Sequence, residues 1–319
     1  MDKIILVKTV MTSNKGGKIP AAKTILHKNR FMLNRVRNMS IQWYPGHMVK
    51  TKRQIIDSLK LIDVVIELFD ARIPDSSKNP DIDELIGNKQ RVVLLNKCEM
   101  ADENITKEWI KRYKDMGISA LDVDSITGRN INRVYTLVKE SVKEHFEKRV
   151  EKGIVGRPVR ALVLGIPNVG KSTFINKISS KSSAKTGDKP GVTRSKQWIK
   201  VNKDFELLDT PGILWPKFDD EKVALHLAFI RAIKDEILDP EELAVKLIEE
   251  LVSLKPEALK DRYKIDLNTD AFEVLKNIGR KRGCIVSGGE VNTVRAANLL
   301  LDDFRSGRLG RLSLEKPQI

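Results

Sequence analysis

Short apolar runs alternate with amphipathic stretches along the first two thirds of the chain. The runs are rich in Val, Leu and Ile, as is typical of strands buried in a parallel sheet. They lie at 63–70, 91–95, 119–123 and 160–164, with a hairpin-like pair at 197–201 and 204–208. The predicted helices lie at 50–60, 80–86, 105–116, 130–150 and 172–179. This alternation predicts an α/β fold with a mostly parallel sheet and helices on both faces.

From about residue 218 onward the spacing of apolar residues is helical. Stripes of Leu, Ile, Val and Phe recur within 225–233, 243–252 and 272–278. Stripes of this kind are typical of helix faces that pack into a core, and they do not indicate a ligand site. The pattern therefore predicts an α/β domain over 39–216, followed by an all-α domain over 217–319.

The first 38 residues differ from the rest. They hold nine Lys and Arg residues and a single acid, Asp2, and no strand or helix period persists through them. This composition predicts a disordered basic arm. The alternative is that translation begins at Met39, which would reduce the net charge from +15 to +7.

The overall charge narrows the class of partner. The chain of 319 residues has a net charge of +15, which favours a polyanionic partner, most simply nucleic acid. A solvated, lysine-rich surface is the alternative.

Cys98 and Cys284 lack metal-site spacing, which fits a reducing cytosol. No run reaches transmembrane length and no signal peptide is evident, so we expect a cytoplasmic protein without a membrane partner. The sequence does not indicate the oligomeric state, and a monomer is the default expectation.

One motif predicts a phosphate-binding loop. Residues 165–172 match the pattern G-x-x-x-x-G-K-[ST] and lie between an apolar strand and a helix. Chance matches to the pattern are rare in that context. Backbone N–H groups of such a loop cradle phosphate, Lys171 reaches the β- and γ-phosphates, and Ser172 holds Mg²⁺. The other residues that we expect to contact the nucleotide here are Asn168, Val169, Gly170 and Thr173.

A second motif, Asp-Thr-Pro-Gly at 209–212, predicts a magnesium and γ-phosphate switch. We expect Asp209 to act as a magnesium partner and the Gly212 N–H to sense the γ-phosphate. Thr193 is the candidate threonine that closes over Mg²⁺ when GTP is bound. Its alternative interpretation is an ordinary loop residue.

The base-recognition motif occupies an unusual place in the chain. Asn96-Lys97-Cys98-Glu99 resembles N-K-x-D, but it comes about seventy residues before the phosphate loop, where most GTPases have it afterwards. The order predicts a circularly permuted P-loop GTPase domain. Glu99 is one methylene longer than aspartate, so we expect guanine preference to survive with weaker affinity. The alternative is that Glu99 points to solvent and specificity is relaxed.

Two further groups of residues bear on the base and on the attacking water. Asp124 and Ser125 follow a predicted strand in the place of the second base-contacting loop. The residue after the switch motif is Ile213, and an apolar side chain cannot orient water. His47, in an aromatic cluster at 42–48, is the candidate catalytic residue for that task, with a structural histidine as the alternative.

The helical domain has a basic cluster, Arg280-Lys281-Arg282, beside small residues at 287–289. Further basic residues are spread over the final stretch at Arg295, Arg305, Arg308 and Arg311. We expect such an array to contact RNA phosphates, with Arg308 and the cluster as the main candidates. Ordinary helix-surface charge is the alternative.

Several motifs together resemble the ribosome biogenesis GTPase A family of permuted GTPases. They lie at 41–48, 70–74, 165–173, 185–188 and 208–216. The resemblance runs from about Ser40 to the C-terminus. It implies GTP hydrolysis stimulated by the large ribosomal subunit late in its assembly, with ribosomal RNA as partner. It also implies that His47 orients water and that Asn168 is linked to potassium. A GTPase acting on another RNA, such as transfer RNA, and a GTP-gated adaptor with negligible catalysis remain the alternatives.

Overall fold

The computed structural model describes residues 53, 55–151, 157–179, 197–215, 218 and 220–318. Within them, five parallel strands and one antiparallel edge strand form a six-stranded sheet. The strands are β1 (Val64–Asp70), β2 (Gln90–Asn96), β3 (Ser119–Val123), β4 (Val159–Gly165), β5 (Gln197–Asn202) and β6 (Phe205–Asp209). The predicted mostly parallel α/β sheet is confirmed, and the hairpin pair is β5 and β6.

The helices alternate with the strands and then continue alone. They are α1 (Asp81–Ile86), α2 (Glu103–Asp115), α3 (Ile131–Ser141), α4 (Lys143–Glu151), α5 (Lys171–Ser179), α6 (Glu221–Phe229), α7 (Pro240–Leu254), α8 (Pro256–Tyr263), α9 (Ala271–Lys281) and α10 (Thr293–Arg305). A short 3-10 helix, Asp235–Ile237, precedes α7. Among the described helices, none combines the length and apolar character needed to span a bilayer.

Acidic and amide side chains fix where several helices begin. Each accepts a hydrogen bond from a backbone N–H in the first turn that would otherwise have no partner, which stabilises a helix by about 1 kcal/mol. These N-cap residues are Asp102, Asp220, Asp239, Asp270 and Asn292.

One helix prediction is wrong. The pattern predicts a single helix over 130–150, whereas the structure breaks at Val142 between α3 and α4. Val142 leaves the helical conformation, with φ −109° and ψ 7°, and its side chain is buried. The hydroxyl of Ser141 donates to the Val138 carbonyl over 2.8 Å, a local bond that competes with continued helix. Burial of Val142 therefore takes precedence over helix continuity.

The sheet order explains how a permuted chain builds one site. The strands lie in the order β3-β2-β1-β4-β6-β5, so β1 and β4 are neighbours at the centre. The base motif ends β2, the phosphate loop follows β4, and the switch motif ends β6. Because these strands are parallel, all three motifs meet at the carboxyl edge of the sheet, where ligands of such sheets bind.

The sheet and the helical region share their largest apolar core. It includes Val64 and Phe174 from the sheet side and Leu247 and Leu300 from α7 and α10. Trp215, six residues after the start of the switch motif, is buried in the same core. The predicted boundary between 216 and 217, and the predicted arm over 1–38, fall outside the described residues.

Candidate nucleotide-binding site

The phosphate loop leaves no room for side chains at two of its glycines. Gly165 and Gly170 have φ of 155° and 98°, which L side chains rarely adopt. A Cβ atom at Gly165 would lie 2.7 Å from the Leu68 carbonyl oxygen. One at Gly170 would lie 2.5 Å from the Asn96 amide nitrogen. These close approaches let the loop pack directly against β1 and the base motif.

Asn96 and Lys97 bond the base motif to the phosphate loop. The Asn96 Nδ2 donates to the Val169 carbonyl over 2.8 Å, and the Lys97 Nζ donates to the Asn168 carbonyl over 2.8 Å. Asn96 Oδ1 in turn accepts from the N–H and hydroxyl of Ser125, over 3.2 Å and 2.7 Å. Three predicted segments therefore join through one asparagine side chain.

Asp70 and Arg72 form a buried pair next to the base motif, for which the sequence analysis assigned no role. The Arg72 guanidinium donates to both Asp70 oxygens, over 2.9 Å and 2.8 Å, and Lys97 Nζ lies 3.0 Å from Asp70 Oδ2. Burial opposes ionisation, yet Arg72 and Lys97 hold the pKa of Asp70 well below its usual range. A signal was available, because two charges at the end of a buried, mostly apolar strand need partners.

Glu99 is turned inward. Its two carboxylate oxygens are shielded from solvent and accept no hydrogen bond from another described residue. Burial raises the pKa of Glu99 above its usual range. The alternative in which Glu99 points to solvent therefore does not hold in this structure. A buried carboxylate without donors matches the two N–H groups of a guanine edge.

Asp124 and Cys98, two other residues predicted to contact the base, have structural roles of their own. The Asp124 carboxylate accepts from the N–H groups of Ile126 and Thr127, over 2.7 Å and 3.2 Å, and so closes its own turn. Cys98 is buried, and burial raises the pKa of its thiol to about 12. Cys98 therefore contributes through its backbone and remains a neutral thiol.

Lys171 and Asp209 face each other at the phosphate end of the site. Lys171 Nζ donates to the Gly165 and Ile166 carbonyls over 3.0 Å and 3.1 Å. Burial lowers the pKa of Lys171 to about 8, although Asp209 opposes this. Burial raises the pKa of Asp209 to about 6, against the effect of Lys171. Phosphate binding would exchange the loop carbonyls on Lys171 for phosphate oxygens.

Asp209 has the features of a divalent-cation partner. Its two carboxylate oxygens are buried, and neither has a hydrogen-bond partner among the described residues. A buried carboxylate of this kind is costly unless a cation neutralises it, and carboxylate and hydroxyl oxygens suit Mg²⁺. Ser172 and Thr173 lie in the first turn of α5, directly after Lys171. The residues present therefore fit Mg²⁺.

The switch glycine touches the phosphate loop. A Cβ atom at Gly212 would lie 2.9 Å from both the N and Cα atoms of Pro167, and 3.0 Å from Lys171 Nζ. The next residue, Ile213, is buried in an apolar cluster with Ile55, Leu162 and others. Its side chain therefore packs among apolar residues and offers no polar atom to a water molecule. His47 and Thr193, the candidates for orienting water and closing over Mg²⁺, lie outside the described residues.

The phosphate loop also contacts the helical region. Asn168 Nδ2 donates to the backbone oxygen of Arg231, just after α6, over 2.6 Å. The sequence analysis linked Asn168 to potassium and did not foresee this bond. Its two ends lie 63 positions apart in the chain, so no local pattern could indicate it.

The predicted RNA-contacting residues lie on the exposed side of the helical region. Arg280 Nη1 donates to Glu273 and Asn277 over 2.9 Å and 2.7 Å, whereas Lys281 is exposed without such a partner among the described residues. Arg282 donates to the Arg262 carbonyl over 3.0 Å. These three basic groups thus lie at or near the solvent boundary.

Arg308 belongs to a network around the buried carboxylate of Asp303. Arg308 Nη1 and Arg262 Nε donate to Asp303 over 3.1 Å and 2.8 Å, and the Tyr263 hydroxyl donates over 3.0 Å. The Arg308 side chain remains 59% exposed. Arg262 was not among the predicted residues, although it links Arg308 to Arg282.

Arg305 and Arg311 differ from the expectation of a basic array. Arg305 is largely buried and donates to the Phe229 carbonyl over 2.8 Å and to Asp235 over 2.8 Å. Arg311 donates to the backbone oxygens of Cys98 and Ala101 in the loop over 96–101, which we call the base loop. Both guanidinium groups therefore bond to backbone oxygens of the protein itself.

The sheet topology, the phosphate loop and the base motif together define a P-loop GTPase in which base recognition precedes phosphate binding. A family model described as 50S ribosome-binding GTPase matches residues 160–272. That segment holds the phosphate loop and the switch motif, but the permuted order leaves the base motif outside it.

Similar proteins identify the family. Ribosome biogenesis GTPase A of Bacillus pumilus is 49% identical over 281 residues, covering 88% of this chain and 100% of that protein. The Bacillus cereus protein of the same name is 50% identical, with 88% and 95% covered. GNP-bound YlqF from T. maritima superposes with a TM-score of 0.60 at 28% identity, covering 84% of this chain and 99% of that one. The chain belongs to the ribosome biogenesis GTPase A family and is a GTP hydrolase by class.

Proposed function

We propose that this chain hydrolyses GTP, with Mg²⁺, during late assembly of the large ribosomal subunit. The proposal is supported above all by Asp209, a buried carboxylate without a partner among the described residues, beside Lys171 of the phosphate loop. The names of the similar proteins support the ribosomal part. GTP therefore binds along the carboxyl edge of the sheet.

Each part of the nucleotide has residues that fit it. Glu99 accepts hydrogen bonds from the guanine N1–H and 2-amino groups, while Asn96 and Lys97 hold the base loop against the phosphate loop. Lys171 binds the β- and γ-phosphates after it exchanges its bonds to the Gly165 and Ile166 carbonyls. Mg²⁺ supplies charge neutralisation at the phosphates, with Ser172 and Asp209 as its protein partners.

Water activation falls to a residue other than Ile213. The Ile213 side chain packs into an apolar cluster and has no group that could hold water. His47 is our candidate for that role, with Thr193 closing over Mg²⁺ when GTP is bound. We expect His47→Ala to lower stimulated hydrolysis far more than nucleotide affinity. Equal losses in both would assign His47 a structural role.

Potassium is proposed as an additional cation at Asn168. The amide nitrogen of Asn168 is bonded to Arg231, so a cation would use the oxygen of the same amide. Replacing potassium by sodium in the assay buffer tests this role. Sodium is the smaller ion and needs shorter distances to its ligands, so it should replace potassium poorly.

The helical region is proposed to contact ribosomal RNA through Arg280, Lys281, Arg282 and Arg308. Their exposure and charge support salt-sensitive binding to phosphates.

The buried Trp215 connects the switch motif to the core of the helical region, and Asn168 connects the phosphate loop to it. A change from GTP to GDP would thereby change how the helical region binds RNA. We propose that the chain acts in the cytoplasm as a monomer.

The decisive experiment measures GTP hydrolysis in potassium buffer, with and without purified large ribosomal subunits. Strong stimulation supports the proposed function. Intact nucleotide binding without stimulation would favour a GTP-gated adaptor, or an enzyme that acts on another RNA.

Binding to the subunit over a salt series, with a GTP analogue and with GDP, tests the RNA contacts. Identical salt-dependent binding in both states would contradict the coupling to nucleotide.

A further inference from the structure

The segment 309–318 leaves the helical bundle and crosses the nucleotide-binding half of the protein. The Leu312 N–H donates to the Met100 carbonyl over 2.8 Å, and the Leu314 N–H donates to the Arg72 carbonyl over 2.9 Å. The side chains of Leu312 and Leu314 are buried in the large core. The Asp102 N–H donates to the Ser313 hydroxyl over 3.1 Å. We call 309–318 the C-terminal strap.

Arg311 of the C-terminal strap reaches the loop that holds Glu99. Its Nη2 donates to the Cys98 carbonyl over 3.1 Å, and its Nε donates to the Ala101 carbonyl over 2.9 Å. These two carbonyls flank Glu99 and Met100 in the chain. With the Leu312 bond to Met100, the strap holds three of the four carbonyls from Cys98 to Ala101.

The loop needs such support for two reasons. Lys97 has a φ of 60°, a left-handed conformation that costs a residue with a side chain of order 1 kcal/mol or more. The Glu99 carboxylate accepts no bond from another described residue, so no hydrogen bond fixes it and its position depends on the backbone of its loop. Paired hydrogen bonds to one carboxylate require precise placement, and a displacement of the loop would misalign both.

We propose that Arg311 is a positioning residue for guanine recognition: by bonding to Cys98 and Ala101, it sets the position of the Glu99 carboxylate. This inference rests on the proposed role of Glu99. The guanidinium suits the task because it holds two backbone oxygens in fixed geometry while its plane stays rigid. Specificity for the base then depends on the C-terminal strap, which lies more than two hundred positions from the base loop.

The test compares affinities for GTP and inosine triphosphate, which lacks the 2-amino group that Glu99 would bind. The variants are Arg311→Ala, Arg311→Lys and Glu99→Gln. Lys316→Ala is the matched control, because Lys316 is an exposed cation of the same strap without a contact to the base loop in the described structure. Thermal unfolding of each variant identifies any general loss of stability.

We expect Arg311→Ala to reduce the preference for GTP over inosine triphosphate by about tenfold, the range of one charge-assisted hydrogen bond. Affinity for inosine triphosphate should fall less than affinity for GTP, because its base keeps only the N1–H bond to Glu99. Arg311→Lys should give an intermediate preference, because it keeps the charge and one reachable carbonyl, and it remains testable if the alanine variant is unstable. Lys316→Ala should keep the native preference.

Two results would overturn the inference in different ways. If Glu99→Gln lowers the preference but Arg311→Ala weakens both nucleotides by one factor, Arg311 only supports the fold and Glu99 still recognises guanine. If Glu99→Gln leaves the preference unchanged, Glu99 does not recognise guanine, and both the assignment and the inference fail.

Discussion

The amide nitrogen of Asn168 lies 2.6 Å from the backbone oxygen of Arg231, and this bond joins the phosphate loop to the helical region. Both residues adopt left-handed backbone conformations, with φ of 59° and 62°. Residues other than glycine rarely do so, and such conformations persist when their surroundings hold them. Each turn therefore helps to hold the other, and we expect a movement of the phosphate loop to reach the residues after α6 through this bond.

Removal of this bond should affect nucleotide binding. We expect Asn168→Ala to weaken GDP binding about tenfold and to lower the free energy of unfolding by about 1–2 kcal/mol, because the Arg231 carbonyl loses its donor. Titration calorimetry and chemical unfolding measure the two effects. Asn104→Ala, on the exposed side of α2, is the control. Unchanged GDP affinity in Asn168→Ala would show that the loop holds its shape without this contact.

Gly212→Ala should discriminate between GTP and GDP. The added methyl group would lie 2.9 Å from Pro167 and 3.0 Å from Lys171 Nζ, so the switch must move away from the phosphate loop. We expect affinity for a non-hydrolysable GTP analogue to fall at least tenfold, with a smaller change for GDP. Fluorescent-nucleotide titration gives both values. A similar loss for both nucleotides would place the damage in the phosphate loop itself.

Asp209→Asn should stabilise the protein without magnesium and abolish its response to magnesium. Burial raises the pKa of Asp209 from 3.8 to about 6, so the fold favours the protonated form. Stability therefore falls as pH rises from about 4 through about 6, and the neutral amide should gain roughly 2 kcal/mol at pH 7. Unfolding at pH 5 and pH 7, with and without magnesium and GDP, tests this. A less stable Asn variant at pH 7 would contradict the proposed cost of the buried charge.

His226 should make stability depend on alkaline pH. Its two ring nitrogens contact Glu250 and Glu315 over 2.8 Å and 2.7 Å, at the junction of α6, α7 and the C-terminal strap. Burial disfavours the charged ring, but the two carboxylates raise its pKa from 6.5 to about 9. The stabilisation is complete below about pH 6.5 and is lost as pH rises through about 9.

His226→Gln should therefore lower the free energy of unfolding by about 3 kcal/mol at pH 6 and by less at pH 10. Denaturant unfolding across this range measures the effect. His145→Gln, at a side chain that is 57% exposed, is the matched control and should change little. The prediction fails if the stability difference between His226→Gln and the native chain is the same at both pH values.

The strands and the three nucleotide motifs could be predicted from the sequence because their signals are local. An apolar run such as Val64–Asp70 is buried along its whole length, and the phosphate loop lies directly between a strand and a helix. The break at Val142 was missed because helical spacing continues on both sides of it. Only the burial of Val142 against distant residues distinguishes that position.

The roles of Arg311, His226 and Asn168 could not be predicted for another reason. Each depends on partners far away in the chain, with 213 positions between Arg311 and Cys98. A basic residue in a basic stretch gives the same local pattern whether it faces RNA or a buried carbonyl. The unusual Glu99 was visible in the sequence, but the bonds that the C-terminal strap makes to the residues around it were not.

The C-terminal strap has a consequence for biosynthesis. The base loop at Asn96–Ala101 is translated early, whereas the residues that hold its carbonyls are translated about two hundred residues later. A nascent chain that already has its sheet and phosphate loop therefore lacks the final support of its guanine site. If Arg311 positions Glu99 as proposed, selective uptake of nucleotide by such a chain would wait for completion of the helical region, and a partly synthesised GTPase would not enter its cycle.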